Sequence, residues 1–417
     1  MTDGQENSER ILNLASEAGH LLLQNGAEIS RVEETMERIA TYFGEKNESF
    51  FVLSNGIFTT GKAYANVKFI PIKGARLDKV VAINQFSRDV AAGKFTLEQA
   101  EQRLEEIRRR PEKPLWEQFV GAALGSGAFC AIFGGSLLDC AAALVAGTLV
   151  YVFLALVCAP SWSKALSNIC GGALGTALCI LFSRLGFGQN LGNMIVGTLI
   201  PLIPGVAFTN GLRDIADEDY LAGITRLLDA LMVFLCIALG VCLAFILQSA
   251  VEGQMIHLTG TVTDPVTALL PVQLAAAFIG TASFAVLFGV PRKFYLKCGA
   301  VGMAGWLAYL LSVRYLPLGP AGGTFIAATL VAILSHFAAR RFKCPSTVFL
   351  ICGIFPLIPG AGVFWSSYFV VSTQMDSALG AGFSAVKITL AIVLGIVLSS
   401  NLFLSKHRSR PKRPRLA

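Results

Sequence analysis

The sequence predicts a polytopic α-helical membrane protein, with about ten membrane helices in two five-helix inverted repeats behind a small N-terminal α+β cytoplasmic domain. Three observations carry that expectation. Of 417 residues, 54% are hydrophobic and 15% charged, where soluble domains carry about 25% charged residues. The charge is unevenly spread: 34 of the first 117 residues are charged, against 27 of the remaining 300. The pentapeptide Pro201-Leu202-Ile203-Pro204-Gly205 returns 155 residues later as Pro356-Leu357-Ile358-Pro359-Gly360. Together these argue against a soluble enzyme, a disordered chain and a secreted disulfide scaffold.

The soluble part is residues 1–117. Residues 8–24 place Ile11, Leu14, Ala15, Ala18, Leu21 and Leu22 on one helical face. Asn25-Gly26 stops that helix, because Gly tolerates the left-handed C-cap conformation. Ser30-x-x-Glu33 reads as a capping box opening a second helix to about Tyr42, with Val32, Met36 and Ile39 inside. Extended runs follow at Ser49–Leu53, Ile57–Thr60 and Ala65–Ile72, punctuated by Asn55-Gly56 and Gly61 as hairpin turns. Two more helices cover about 77–92 and 97–110, the latter capped by Thr96-x-x-Gln99. The polar start MTDGQENSER has no apolar stretch and predicts no signal peptide. The charged patch Glu28, Arg31, Glu33 and Glu34 reads as a solvated helix start. With no Ser/His/Asp set or phosphate loop, regulation or gating fits this domain better than catalysis. Arg108 to Pro114 then ends the helix and brings a basic run to the membrane boundary.

Ten apolar segments fit the membrane part, at about 118–137, 140–158, 166–183, 190–209, 226–249, 270–290, 296–313, 321–339, 346–370 and 383–404. Each approaches the ~20 residues that cross a hydrocarbon core. The first five form one repeat (118–250), the last five another (270–405), and 406–417 is a basic tail. With the N-terminal domain in the cytoplasm, fifteen loop and tail cations lie inside, Arg213 and Arg226 among them. Three lie outside, Arg184, Arg314 and Lys387. The positive-inside rule therefore predicts both termini in the cytoplasm. It also accounts for the net charge of +7 without a nucleic-acid partner. The ten Cys form no Cys-x-x-Cys pair and read as buried, unpaired filler; the four His are scattered, and neither metal nor cofactor is expected.

Other residues share the 155 offset. GSGAFCAIFG (125–134) faces GTASFAVLFG (280–289), Gly147 faces Gly302, and Tyr151 faces Trp306. Five spans is an odd number, so the second copy enters from the opposite side, as in many secondary transporters. Each PLIPG breaks its helix, since Pro removes a donor and clashes with the preceding turn. We place the substrate path between the two breaks, at Pro201, Pro204, Gly205, Pro356, Pro359 and Gly360. Polar neighbours Asn193, Thr198, Thr209 and Asn210 join them in the first copy, and Ser366, Ser367 and Tyr368 in the second. Kinks that only shape packing are the alternative. Asp139, Asp214 and Asp229 are the candidates for ion coupling. None sits at the bilayer centre, and Asp229 is three residues from Arg226, a spacing that suggests an ion pair. Gly121, Gly125, Gly171, Gly175, Gly299, Gly302 and Gly305 read as helix-packing positions.

The stretches AGHLLLQNGAEISRVEETMERIATYFG (18–44) and FFVLSNGIF (50–58), with ten spans and paired PLIPG, make the chain resemble the threonine/serine exporter family in its fused two-half form. The resemblance covers nearly the whole chain. It implies a bacterial inner-membrane exporter of small hydrophilic metabolites, threonine/serine-type amino acids or, as in two-subunit relatives, succinate, driven by the proton gradient. It implies partners limited to the small-molecule substrate and the lipid bilayer, with a homo-oligomer left open. Asn25, Gly26, Glu28, Arg31, Glu33 and Thr35 match the family's N-terminal motif. The expected function is secondary transport by alternating access; a channel gated by the soluble domain is the alternative. An enzyme is not expected, as no HExxH, GxSxG or paired membrane carboxylates occur.

Overall fold

The computed structural model describes residues 3–45, 49–61, 64–71, 74–158, 162–254, 256, 258 and 263–404. The soluble part comprises α1 (Asp3–Gln24), α2 (Ile29–Tyr42), β1 (Ser49–Leu53), β2 (Gly56–Gly61), β3 (Tyr64–Phe69), α3 (Leu77–Ala91) and α4 (Leu97–Arg108). All six apolar positions expected on α1 are buried, as are Val32, Met36 and Ile39 of α2. The strands form an antiparallel sheet in order β1-β2-β3, with Leu53 opposite Gly56 across the Ser54-Asn55 turn. The third strand stops before Ile72, which lies outside the described residues, as does the tail. Gly26 takes φ +88°, the left-handed stop its position requires. Thr96 and Gln99 form the expected capping box on α4.

The box expected at Ser30 and Glu33 does not form. α2 begins two residues earlier, with Glu28 at its N-cap and no side-chain cap bond. The free amide of Ile29 instead donates to Asp214 Oδ1 (3.3 Å), and Ser30 Oγ donates to Asp217 (3.3 Å). A carboxylate from the membrane part serves as the cap, which satisfies an orphan donor and suits the positive helix end.

The membrane part runs α5 (Leu115–Ile132), α6 (Leu137–Phe153, extended by a π turn), α7 (Lys164–Arg184), α8 (Leu191–Leu199), α9 (Gly205–Ala216) and α10 (Tyr220–Glu252). It then runs α11 (Leu270–Leu287), α12 (Tyr295–Tyr315), α13 (Gly319–Phe342), α14 (Thr347–Ile354), α15 (Gly360–Val371) and α16 (Met375–Leu404). Among the described residues nine spans are long and apolar enough to cross a membrane, and α8 with α9 makes a tenth, bent by 70°. Their outward faces expose large apolar side chains such as Leu221, Leu239 and Leu296, the surface a bilayer covers. Ten cysteines are free, seven of them buried and Cys140, Cys170 and Cys242 half-buried.

The 155-residue offset is visible as paired contacts. A Cβ on Gly147 would meet Ser126 Oγ at 2.0 Å, and one on Gly302 would meet Thr281 Oγ1 at 2.1 Å. Gly125 faces Phe284 while Gly280 faces Phe129. Tyr151 donates to Gln118 Oε1 (2.8 Å), and Trp306 Nε1 donates to Gln273 Oε1 (2.9 Å). Phe129 and Phe284 are equivalents of each other and touch edge to face, centroids 5.4 Å apart. A residue that meets its own repeat partner lies beside the axis relating the halves, so α5 and α11 form the central pair.

Candidate functional site

Each PLIPG builds the same backbone turn, although only the first bends its span sharply, by 70°, while Thr347–Val371 runs on as one span. A 3-10 turn (Ile200–Leu202, Phe355–Leu357) ends in an extended residue, Ile203 at φ/ψ −64°/129° and Ile358 at −64°/132°. Pro204 and Pro359 follow, and a new helix starts at Gly205 or Gly360. The joints interlock. A Cβ on Gly205 would lie 2.4 Å from the Phe355 ring, and one on Gly360 would lie 2.3 Å from Ile203 Cδ1. At 205 the neighbour is a packed ring, so glycine is required there, whereas at 360 it is the flexible end of Ile203.

Around the joints lie three cavities. On the soluble-domain side, about 740 Å³ is lined by Ile203, Pro204, Gly205, Val206, Ala207 and Asn210 of the first joint. Gly26, Asn55, Phe69 and Ala75 of the soluble domain close it, with Lys164, Arg226 and Asp229 also in its wall. On the opposite side, about 180 Å³ is lined by Ser183, Arg184, Asn190, Asn193, Leu258 and Trp365, among others. Beside the joints themselves only about 30 Å³ is open, lined mainly by apolar groups from α8, α10 and α15, room for a water or two.

The motif turn Asn25–Glu28 docks onto the first joint's helix. Gly26 O accepts from Asn210 Nδ2 (2.8 Å), and Ala27 O accepts from Arg226 Nη2 (2.9 Å). Arg226 Nη1 pairs with Asp214 (2.6 Å), both fully buried. Glu28 accepts a hydrogen bond from the Thr347 hydroxyl and lies 3.4 Å from Arg31 and 3.5 Å from Arg213. Arg213 Nη1 also donates to Ser346 Oγ and Thr347 Oγ1, both at 3.1 Å. Burial pushes the Glu28 carboxyl upward, but Arg213, Arg31 and the Thr347 hydroxyl outweigh it and hold it at about 2. Nearby, the α3 amides of Leu77 and Asp78 donate to Phe288 O (3.1 Å) and Gly289 O (2.9 Å) at the end of α11. The orphan donors of one helix thus meet the orphan acceptors of another.

Three sequence expectations need correction here. Glu28 is not part of a solvated helix start; it is buried, because the membrane part closes over it. Arg213 and Arg226 are not loop cations; they are buried, because the soluble domain and the membrane part enclose them together. Asp229 does not pair with Arg226; it pairs with Lys164 (2.7 Å) at the cavity wall, since Arg226 is already engaged by Asp214.

The other candidates divide by location. Thr209 is buried with its hydroxyl unpartnered, and Asn210 leaves its Oδ1 unpartnered while lining the large cavity. Thr198 Oγ1 meets Cys179 Sγ (3.2 Å). Asn193 is buried at the smaller cavity. Pro356 is buried. Ser366 and Ser367 bond to Ala378 O and Val363 O, and Tyr368 OH bonds to the Leu258 amide and Ile256 O. Asp139 accepts from the amides of Ser136, Gln189 and Asn190 and from Asn190 Nδ2, on the side away from the soluble domain. Asn25 Nδ2 donates to Leu21 O; Thr35 is buried, and Glu33 is half-buried on α2. Sequence reasoning missed Ser346, Thr347 and the Gln118/Gln273 pair, the last of which shares the 155 offset.

A family profile described as "Putative threonine/serine exporter" matches residues 13–248, more than half of the chain. The chain belongs to the threonine/serine exporter family. A second profile, "Threonine/Serine exporter, ThrE", matches residues 273–402, and the break between the two falls between α10 and α11. A "Probable threonine/serine exporter" of Mycobacterium tuberculosis is 22% identical over 410 residues, covering 95% of this chain and 77% of the relative. A "Threonine/serine exporter" of Corynebacterium glutamicum is 24% identical over 421 aligned positions, covering 97% and 84%. No solved structure matches. The family is one of exporters, and this member is a membrane transporter and not an enzyme.

Proposed function

We propose that this chain exports small hydrophilic metabolites, threonine/serine-type amino acids first and small dicarboxylates such as succinate second, by alternating access across its paired broken helices. One observation carries the reading: the interlocked joints lie between a cavity of about 740 Å³ and one of about 180 Å³, with only about 30 Å³ open beside them among the described residues. Two halves related by an inverted repeat can rock about such a contact, closing one cavity as the other opens.

The larger cavity suits an amino acid. Val206 and Ala207 line it in the first turn of α9, where backbone amides lack intrahelical acceptors, and such a helix end attracts a carboxylate. Asn210 Oδ1, buried and unpartnered, is an acceptor for an ammonium or hydroxyl group one turn on. Of the three coupling candidates, Asp229 lines the cavity in an exposed pair with Lys164, and Asp214 is buried and reaches the wall through Arg226; we assign proton coupling to the buried Asp214. The soluble domain faces the cytoplasm in this reading. Setting Arg213 and Arg226 aside, seven described cations remain at helix ends or between helices on its side, against Arg184, Arg314 and Lys387 on the other, which supports a bacterial inner membrane with both termini inside.

The test is release of labelled threonine, serine or succinate from liposomes holding the full chain. Pro204→Ala with Pro359→Ala is expected to cut flux by about tenfold or more, since each restores a helical donor and straightens a joint. Unchanged flux would overturn the site assignment. Asp214→Asn is expected to remove the dependence of flux on a pH gradient.

A further inference from the structure

The first turns of the two broken spans are served differently. α8 starts at Leu191, and the amides of Gln189 and Asn190 just before it donate to Asp139 Oδ1 at 2.6 and 3.1 Å. Asp139 belongs to α6 of the same half. The equivalent span of the second half starts with α14 at Thr347, within one residue of the 155 offset. Its own half offers no such carboxylate: the position equivalent to Asp139 is Phe294, packed on Phe349 with ring centroids 5.6 Å apart. The carboxylate at this helix start is Glu28, which takes the Thr347 hydroxyl and is 1% exposed.

We infer that Glu28 is a positioning residue for transport: the soluble domain hands to α14 the carboxylate that α8 receives from Asp139, and by doing so ties the two halves together on its side of the membrane. Glu28 is suited to this because it touches both halves at once. Arg213, on α9 of the first half, and Thr347, on α14 of the second, both reach it. Rocking the halves apart must separate those groups, and a carboxylate held by two arginines and a hydroxyl re-forms one geometry on closing. The NGAE segment is then part of the transport unit. Its half-buried partner Arg31, 3.4 Å from Glu28, balances the charge when Arg213 moves away.

This inference rests on the transport reading, so its test has an arm that does not. Hydrogen–deuterium exchange of the full chain in detergent micelles is expected to run about tenfold faster at residues 347–350 in Glu28→Gln than in the parent, because a buried charge-assisted bond is lost. Exchange at 189–192, which includes the two amides that donate to Asp139, should be unchanged. Asp139→Asn should give the reverse pattern. Thr347→Val, which leaves the arginines paired with Glu28, should reproduce part of the effect at 347–350 and covers the case in which Glu28→Gln does not fold. In the transport arm, Glu28→Gln should lower the maximal rate per folded molecule by about tenfold with half-saturation within about twofold, and Glu28→Asp should recover part of it. Equal exchange at 347–350 in parent, Glu28→Gln and Thr347→Val would overturn the inference. So would Glu28→Asp transporting no better than Glu28→Gln. A parent chain that moves none of the three solutes, with the exchange pattern intact, would count against the transport reading alone.

Discussion

Gly205→Ala is the most discriminating single change at the joints. The added Cβ would sit 2.4 and 2.7 Å from two atoms of the Phe355 ring and 3.2 Å from Phe288. Phe355 has nowhere to go. It is 1% exposed, stacked on Phe284 at 3.7 Å between centroids, and edge-on to Phe129 and Phe288 at 5.5 and 5.6 Å. Overpacking of this kind costs about 1–3 kcal/mol. Gly360→Ala looks equally tight, at 2.3 Å, but the atom it meets is the terminal methyl of Ile203, which can rotate away. We expect it to cost under about 1 kcal/mol. Thermal aggregation midpoints of purified protein should therefore fall by several degrees for Gly205→Ala and little for Gly360→Ala. Trimming the obstacle should help: Gly205→Ala with Phe355→Leu should be less damaging than the sum of the singles by about 1 kcal/mol. Additive effects, or a larger loss from Gly360→Ala, would refute the Gly205–Phe355 contact as the tight point of the joints.

Three further outcomes follow from the same geometry. Glu28 is held at about 2 when docked, below its ordinary range, so it stabilises docking above that range and the contribution disappears as pH falls toward about 2. Protease sensitivity of the 110–114 linker should thus be flat from about pH 8 to 5 and rise below about 4.5; loosening above pH 6 would contradict the assignment. Gln273→Ala should cost about 2 kcal/mol or more, because it strips buried partners from Trp306, Ala131 O and Thr267 O, whereas Gln118→Ala, whose site opens on a cavity of about 300 Å³ that water can fill, should cost under about 1 kcal/mol in the same thermal assay. Arg226→Gln strands the buried Asp214 and should cost about 3–5 kcal/mol, while Lys164→Gln breaks an exposed pair and should cost under about 1 kcal/mol.

The parts legible in the sequence are those set by local chemistry or by repetition. PLIPG announces a break because proline removes a donor wherever it stands, and its second copy marked the equivalent span. The α1 face and the Thr96 cap were legible for the same reason: every partner lies within one helix. What failed were positions whose partners come from far along the chain. Ser30 and Glu33 satisfy the spacing of a capping box, but Asp214, 185 residues away, takes the first amide of α2. Arg226 stands three residues from Asp229, yet a docked domain gives it Asp214 and Ala27 O instead. Glu28 resembled a solvated surface charge until α14 was placed beside it. The buried ion pairs at this contact are decided by docking between domains, whereas spacing along one helix sets more exposed pairs such as Arg31–Glu34 and Arg109–Glu105.

The central claim is that solute crosses by alternation of two cavities about the joints and not through an open pore. Counterflow tests it most directly. Liposomes holding the full chain and loaded with labelled threonine or serine should release label faster when unlabelled solute is added outside, because the returning carrier no longer travels empty. Release that is unaffected by outside solute would contradict alternation and favour a gated pore, and release no faster than from protein-free liposomes would contradict transport itself.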